Sequence, residues 1–543
     1  MYNLFCKFLI GFPNGKISKF YKMKNFFSQW RNDLPASLVV FLVALPLCLG
    51  VALASTGAKP ILFSGIIAGM VGGVVVGFLS GSKLGVSGPA AGLITIVLAA
   101  ITSLGSFENF LVAVILAGVI QLIAGFIGAG ILGNFFPSSV IKGMLAAIGL
   151  TLILKEIPHL VGYDKDFMGD ESFFQFDGHN TFSDLMYATN ALSPGAMIIA
   201  AISIFILIFL DKPFMKKWAV FKILPGALFV VVLGIVFNLF FHYFLPDFEM
   251  KGQHLVQLPV AKSLEDFGSF FIFPDFMALK NPKVYVVALT IALVASLETL
   301  LSVEATDKLD PDKNFTPTNR ELRAQGIGNI VSGLLGGLPI TQVIVRSSAN
   351  INAGGKSKLA AILHGFLLLV CALFIPQVLN LIPFASLAAI LLMVGYKLSK
   401  VSLYKSMYSL GFEQFIPFVS TILAVLFTDL LKGIAIGMAI SIFYILRKNL
   451  RNNFQKNITK EGGNEHIEII LSEEVTFLNK GSILESLQNV PENATLIIDG
   501  SKSKAIDYDV LELIQEFKIH GAVAKNIVLK TINIPEVKIT SGH

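Results

Sequence analysis

Residues 83–103 read KLGVSGPAAGLITIVLAAITS. The apolar run is about the length of a membrane span. Near its start stands Gly88-Pro89, preceded by a polar, glycine-punctuated stretch at 83–87. A lipid-facing helix gains nothing from such an opening. A helix that begins inside a bilayer leaves its first N–H groups without intrahelical partners and presents the positive end of its dipole. Backbone broken at that depth persists only where protein or a water-filled cavity satisfies it. The stretch therefore brings a helix start into the membrane.

It has a counterpart. Residues 333–355 read GLLGGLPITQVIVRSSANINAGG, where Gly336-Gly337-Leu338-Pro339 precedes a short extended piece and a helix-capable stretch. Clear hydrophobic spans lie near 35–56, 60–80, 107–127, 137–155, 195–211, 223–244, 284–303, 357–376, 383–398, 414–430 and 432–447; less regular ones at 84–103, 325–338 and 339–353 bring the count to 14. The two breaks fall in the third and tenth spans, seven apart. An odd repeat of seven makes the two halves inverted in the membrane, and interrupted segments at matching places in such halves point to a binding site. Two helix starts facing each other make an anion site.

The totals agree with a polytopic membrane protein. The 543 residues are 54% hydrophobic and 14% charged, with mean hydropathy +0.73, against about 25% charged in soluble domains. The net charge of +6 sits in short loops and gives no reason to expect nucleic acid as a partner. Cys6, Cys48 and Cys371 have no metal-site or disulfide spacing. No metal cluster, nucleophile motif or phosphate loop is present, so no enzyme and no cofactor is expected.

Loop charge sets the orientation. The N-terminal tail carries Lys7, Lys16, Lys19, Lys22, Lys24 and Arg31 against Asp33, and is expected in the cytoplasm. Loop 158–194 holds Asp164, Asp166, Asp170, Glu171, Asp177 and Asp184 against Lys165, and is expected outside. Loop 211–222, DKPFMKKWAVFK, is basic and returns inside, and an even number of spans leaves the C-terminus there too. Met23 is a candidate translation start, which makes 1–22 either an extension or a mis-called start. The expected domains are a cytoplasmic segment at 1–34, a membrane domain at 35–448, a polar linker at 449–464 and a small α/β domain at 465–543. In the last, HIEIIL, VTFLN, ATLIIDG and NIVLKTIN read as strands, and GSILESLQNV and DVLELIQEFKIHG as helices.

Two charges lie within spans. Arg346 sits just inside the second helix start, where it adds a full positive charge to the cradle; its alternative is a snorkelling interfacial arginine. Glu298 lies in VYVVALTIALVASLETLLSV with Ser302 one turn on, on the same face. An ionisable group at that depth is a functional candidate. It takes up a proton, coordinates Na⁺, or pairs with Arg346 or a backbone donor.

These residues resemble the SulP family of inorganic anion transporters. The likeness is carried by ALPLCLGVA (44–52), VSGPAAG (86–92), SLETLLS (296–302) and GLPITQVIVRSSANINAGGKSKLA (337–360). The terminal domain is similar to a STAS domain. The resemblance implies an all-α membrane domain of 14 segments in two inverted repeats of seven, divided into core and gate, with elevator-type transport in a homodimer. It places the anion at Ala90, with Ser87, Gly88 and Ala91 beside it, and at Val345 and Arg346, with Gln342, Val343 and Ile344 lining the approach. Glu298 and Ser302 match the acid and hydroxyl that hold Na⁺ in the family's cyanobacterial bicarbonate transporters. Three departures stand out. Leu47 replaces a glutamine common in animal members. Glu298 replaces an aspartate, which leaves H⁺ and Na⁺ both open. Asp509 stands where regulatory STAS proteins carry a phosphorylatable serine. The implied function is cation-coupled transport of sulfate or bicarbonate across a bacterial inner membrane. The alternatives are exchange of chloride or small dicarboxylates, and a membrane sensor or scaffold with STAS output.

Overall fold

The protein is described by a computed structural model over residues 29–56, 61–165, 173, 180–212, 226–260, 264–451, 454–461 and 464–537. Residues 1–28 of the basic tail, with Met23 and Cys6, stretches 166–172 and 174–179 of the acidic loop, and most of the basic 211–222 loop lie outside the described residues. The chain divides into two compact units, Met1–Met438 and Ala439–His543.

In the first unit, α1 (Trp30–Thr56) is followed by α2 (Leu62–Val71), which continues through a π-helical turn at Gly72–Val76 to Gly77–Leu79. Strand β1 (Ser87–Pro89) and a 3₁₀ turn (Ala91–Leu93) then lead into α3 (Ile94–Leu104). Next come α4 (Phe107–Ile127), α5 (Ser138–Val161), α6 (Pro194–Leu210), α7 (Gly226–Phe244), α8 (Pro282–Leu309) and α9 (Thr318–Leu335). Strand β2 (Ile340–Gln342) opens α10 (Ile344–Asn352); α11 (Leu359–Phe374), α12 (Phe384–Leu398) and α13 (Phe412–Phe427) follow, and α14 (Leu430–Arg451) begins in this unit and carries the chain past its boundary.

Among the described residues, 7 helices are long and apolar enough to cross a membrane, and four shorter apolar helices accompany them. The irregular windows of the sequence have a plain cause. With 11 and 9 residues, α3 and α10 fall well short of the roughly 30 Å hydrocarbon core at about 1.5 Å per residue. The strands supply part of the remaining length.

Close packing rests on glycine. A Cβ on Gly118 of α4 would meet the Gly326 carbonyl at 2.6 Å, and one on Gly326 of α9 would meet the Gly118 carbonyl at 2.7 Å. The two helices thus approach backbone to backbone, as small residues permit in membranes. A Cβ on Gly72 would lie 2.4 Å from the Ser87 carbonyl, so α2 carries glycine where β1 lies against it.

The second unit holds a four-stranded sheet in the order β3-β4-β6-β8. Its strands are β3 (Phe454–Glu461), β4 (Asn464–Leu471), β6 (Thr495–Asp499) and β8 (Val528–Ile532). The first pair is antiparallel and the other two are parallel. Helices α15 (Lys480–Gln488) and α16 (Tyr508–Glu516) bury Ile483, Leu487, Val510 and Ile514 in the core of this unit.

Two local expectations are corrected here. The stretch 449–464 is no linker: α14 runs to Arg451, and β3 pairs with β4 in a register that sets Ile458 opposite Ile467. An edge strand has a solvated face, so its polar sequence imitates a linker. VTFLN is not a strand: only Glu474–Val475 (β5) extend, pairing with Ala505–Ile506 (β7). Thr476 and Asn479 close a capping box that turns Phe477–Asn479 into a 3₁₀ helix.

Candidate functional site

The two broken segments meet. β1 and β2 form an antiparallel ladder with Ser87 opposite Gln342, Gly88 opposite Thr341 and Pro89 opposite Ile340. The Val343 N–H extends it by donating to the Val86 carbonyl at 2.9 Å. A three-residue ladder is about 10 Å long, and a helix starts at each end. Ala90 (φ −115°, ψ 137°) precedes the 3₁₀ turn into α3, and Val343 (φ −110°, ψ 121°) precedes α10; neither start receives a side-chain cap. Both positive helix ends therefore flank one small region with uncapped N–H groups.

What holds this strand pair is one face of α9. Glu321, Gln325 and Asn329 recur every fourth residue, with Ser332 a turn further, and all four are buried. Glu321 accepts from Ser80 Oγ at 2.5 Å and from the Gly81 N–H at 3.2 Å. Gln325 Nε2 donates to Ser87 Oγ at 2.7 Å. Asn329 accepts from the Ile340 N–H at 2.6 Å and donates to the Ile340 carbonyl at 3.0 Å and to Gln121 Oε1 at 2.7 Å. Ser332 Oγ donates to the Leu338 carbonyl at 2.7 Å. Removing one partner of a buried pair costs about 1–3 kcal/mol per orphaned group. Asn329→Ala is accordingly expected to lower the apparent Tm of the solubilised protein by several degrees, and an unchanged Tm would show that the ladder needs no such support.

Arg346, in the first turn of α10, is 0% exposed, which removes the interfacial reading. Its side chain reaches back across the ladder. Nη2 points to the Pro89 carbonyl at 3.4 Å, and a Cβ on Gly88 would stand 1.9 Å from Nη1. Nε and Nη1 are buried without a hydrogen-bond partner. A buried cation with open donors is costly and prepared for an anion. Gly88→Ala is expected to push the guanidinium aside and weaken anion affinity about tenfold or more with the fold retained. Isothermal titration of the variant checks this, and wild-type affinity would contradict the contact.

Glu298 and Ser302 are buried in α8. The Glu298 carboxylate faces the start of α3, with Oε2 3.1 Å from where a Cβ on Gly92 would lie. Gln342 lies on the α8 side of the ladder: its N–H points to Thr299 Oγ1 at 3.3 Å and its Nε2 donates to Thr306 Oγ1 at 3.1 Å. Ser87, Gly88, Ala90, Ala91, Ile344, Val345 and Arg346 thus gather around the ladder and its two helix starts, while Glu298 closes the α3 end. The sequence reading missed the α9 face and Thr299 and Thr306. The four-residue spacing of Glu321, Gln325 and Asn329 in a span of low hydropathy was the available signal.

A model of the sulfate permease family matches residues 30–421. The protein named "Putative sulfate transporter YvdB" of Bacillus subtilis is 28% identical over 483 residues, covering 87% of this chain and 86% of the relative. The bicarbonate transporter BicA of Picosynechococcus sp. is 25% identical over 460 residues, covering 82% and 75%. Among solved structures, the transmembrane domain of a cyanobacterium bicarbonate transporter BicA aligns with TM-score 0.53 at 23% identity, over 75% of this chain and 98% of that one. SLC26A9 aligns with TM-score 0.64 at 16% identity, over 98% and 90%. These two show a shared fold.

Proposed function

The chain belongs to the sulfate permease family, and on that premise we propose that it is a secondary active transporter of a small inorganic anion, sulfate or bicarbonate, coupled to H⁺ or Na⁺. One observation carries the reading: two uncapped helix starts flank a buried guanidinium whose Nε and Nη1 have no partner. The anion binds the N–H groups around Ala90–Ala91 and Ile344–Val345 together with Arg346.

Glu298 supplies the coupling. Its carboxylate shares the α3 end with the anion. Unit charges roughly 6 Å apart at an effective dielectric near 20 repel by about 3 kcal/mol. A proton or Na⁺ on Glu298, with Ser302 beside it, removes that repulsion, so cation and anion bind in concert. Equilibrium binding of radiolabelled sulfate and bicarbonate tests this: affinity for one of them rises as H⁺ or Na⁺ is added. An anion affinity indifferent to both cations would sink the coupling.

The architecture that goes with this reading is fourteen spans in two inverted repeats, with β1–α3 and β2–α10 as the third and tenth. A core containing both helix starts moves against a gate. The protein is a homodimer in a bacterial plasma membrane, with both termini cytoplasmic and the C-terminal α/β unit a short STAS domain. The inverted crossing of β1 and β2 supports the repeats, and the loop charges support the orientation.

A further inference from the structure

At the start of the acidic loop lies a second titratable cluster. Asp164 follows the C-terminus of α5, and its side chain is only 2% exposed. One oxygen lies 2.6 Å from His159 Nδ1 and the other 2.6 Å from His254 Nδ1. His159 belongs to α5 and its ring lies against Phe384, which opens α12. His254 belongs to a strap, residues 249–258, in the connection between α7 and α8. The strap is laced to the connection between α11 and α12. The Val256 N–H donates to the Ile382 carbonyl at 3.0 Å, the Leu258 N–H donates to Asn380 Oδ1 at 2.6 Å, and Asn380 Nδ2 returns a bond to the Leu258 carbonyl at 3.1 Å.

From these contacts we infer that Asp164, held between His159 and His254, is a proton-operated clasp that pins the 249–258 strap to the ends of α5 and α12 and loosens as the pH around it rises. The geometry is specific: one buried carboxylate serves two rings on separate elements, and one ring, His254, reaches solvent with its side chain 33% exposed. The other charged groups around it are Lys155 and Glu156 on α5, Asp184 3.9 Å from Lys155, Lys165 beside Tyr163, and Glu249 with Lys251 and His242 on the strap and the end of α7. Among the described residues, the α11–α12 connection contributes only neutral groups, and none of the His, Cys, Asp and Glu side chains form a group suited to a metal ion.

The sign follows from the partners. The hydrogen bond to Asp164 raises His254 above its usual 6.5, against the effect of burial. Burial opposes the Asp164 carboxylate, but the bonds from His159 and His254 hold it below its usual 3.8. The clasp is complete below 6.5, down to the acid range where Asp164 protonates, and is lost as pH rises through the raised value of His254. The pinned segments are connections between helices that have to shift during transport, so release speeds turnover; that consequence alone rests on the transport reading.

Hydrogen exchange of the full chain in lipid nanodiscs tests the clasp without transport. After correction for intrinsic rates, protection across 249–258 is expected to fall about tenfold between roughly pH 6 and pH 9. In Asp164→Asn it is low at both, and in His254→Gln, a change at a partly exposed ring, it no longer depends on pH. Wild-type protection independent of pH, or a pH step that survives in both variants, overturns the clasp. In anion exchange with equal pH on both sides, His254→Gln is expected to run at the wild type's alkaline rate even at pH about 6, with KM unchanged. A changed KM or an unaltered pH profile removes the link to turnover and leaves the exchange result standing.

Discussion

Arg346→Ala is expected to weaken binding of the transported anion at least about tenfold, and up to about a hundredfold, because a hydrogen bond to a charged group contributes about 1.5–3 kcal/mol. The guanidinium is fully buried, and two of its nitrogens have no protein partner. Its truncation therefore breaks the weak contact to Pro89 and the interaction with the buried Cys48 thiol, and relieves the cost of burying that cation. The variant is expected to fold at least as stably as the parent while binding poorly, a combination that a structural role for Arg346 would not give. Titration with sulfate and bicarbonate beside a thermal melt separates the two. Unchanged affinity would remove Arg346 from the site, and a collapse in Tm would make it a scaffold residue.

Glu298→Gln is expected to abolish accumulation against a gradient while sparing exchange of anion for anion. The amide imitates the protonated acid, so the α3 end stays free of the competing negative charge whatever the cation supply. Anion affinity then becomes independent of pH and Na⁺, fixed near the cation-saturated value of the wild type, about 3 kcal/mol or roughly a hundredfold above its cation-free value. Uptake driven by a cation gradient in the variant would show that the coupling group lies elsewhere. Lost exchange with intact binding would show that Glu298 also takes part in the movement.

Much of this site is legible in sequence because broken helices in a membrane carry a recognisable cost. Gly88-Pro89 and the Gly336–Pro339 stretch are out of place in plain spans, and seven-span spacing implies that they meet. That they meet as a hydrogen-bonded ladder, with Ser87 opposite Gln342, follows from tertiary pairing that no local pattern encodes. The face of α9 was obscured for a related reason. Glu321, Gln325 and Asn329 depress the hydropathy of their span, so the segment reads as irregular, whereas each of these side chains satisfies backbone or side-chain groups flanking or within the broken segments. The π-turn in α2 has no composition cue beyond its glycines. In the C-terminal unit, β3 escaped because its polar residues suit a solvated edge; Gly462-Gly463 between β3 and β4 was the hairpin signal available. The Asp164 clasp joins residues 90 positions apart and has no sequence motif.

On the proposed function, the ladder region binds an anion whose movement is driven by a cation. The most direct test is uptake of radiolabelled sulfate and bicarbonate into proteoliposomes of the purified protein under imposed Na⁺ or H⁺ gradients. The structure leads us to expect concentrative uptake of one of these anions under one of these gradients, absent with Arg346→Ala and reduced to exchange with Glu298→Gln. Protein that binds neither anion and moves neither under either gradient, with or without anion loaded inside, would contradict it.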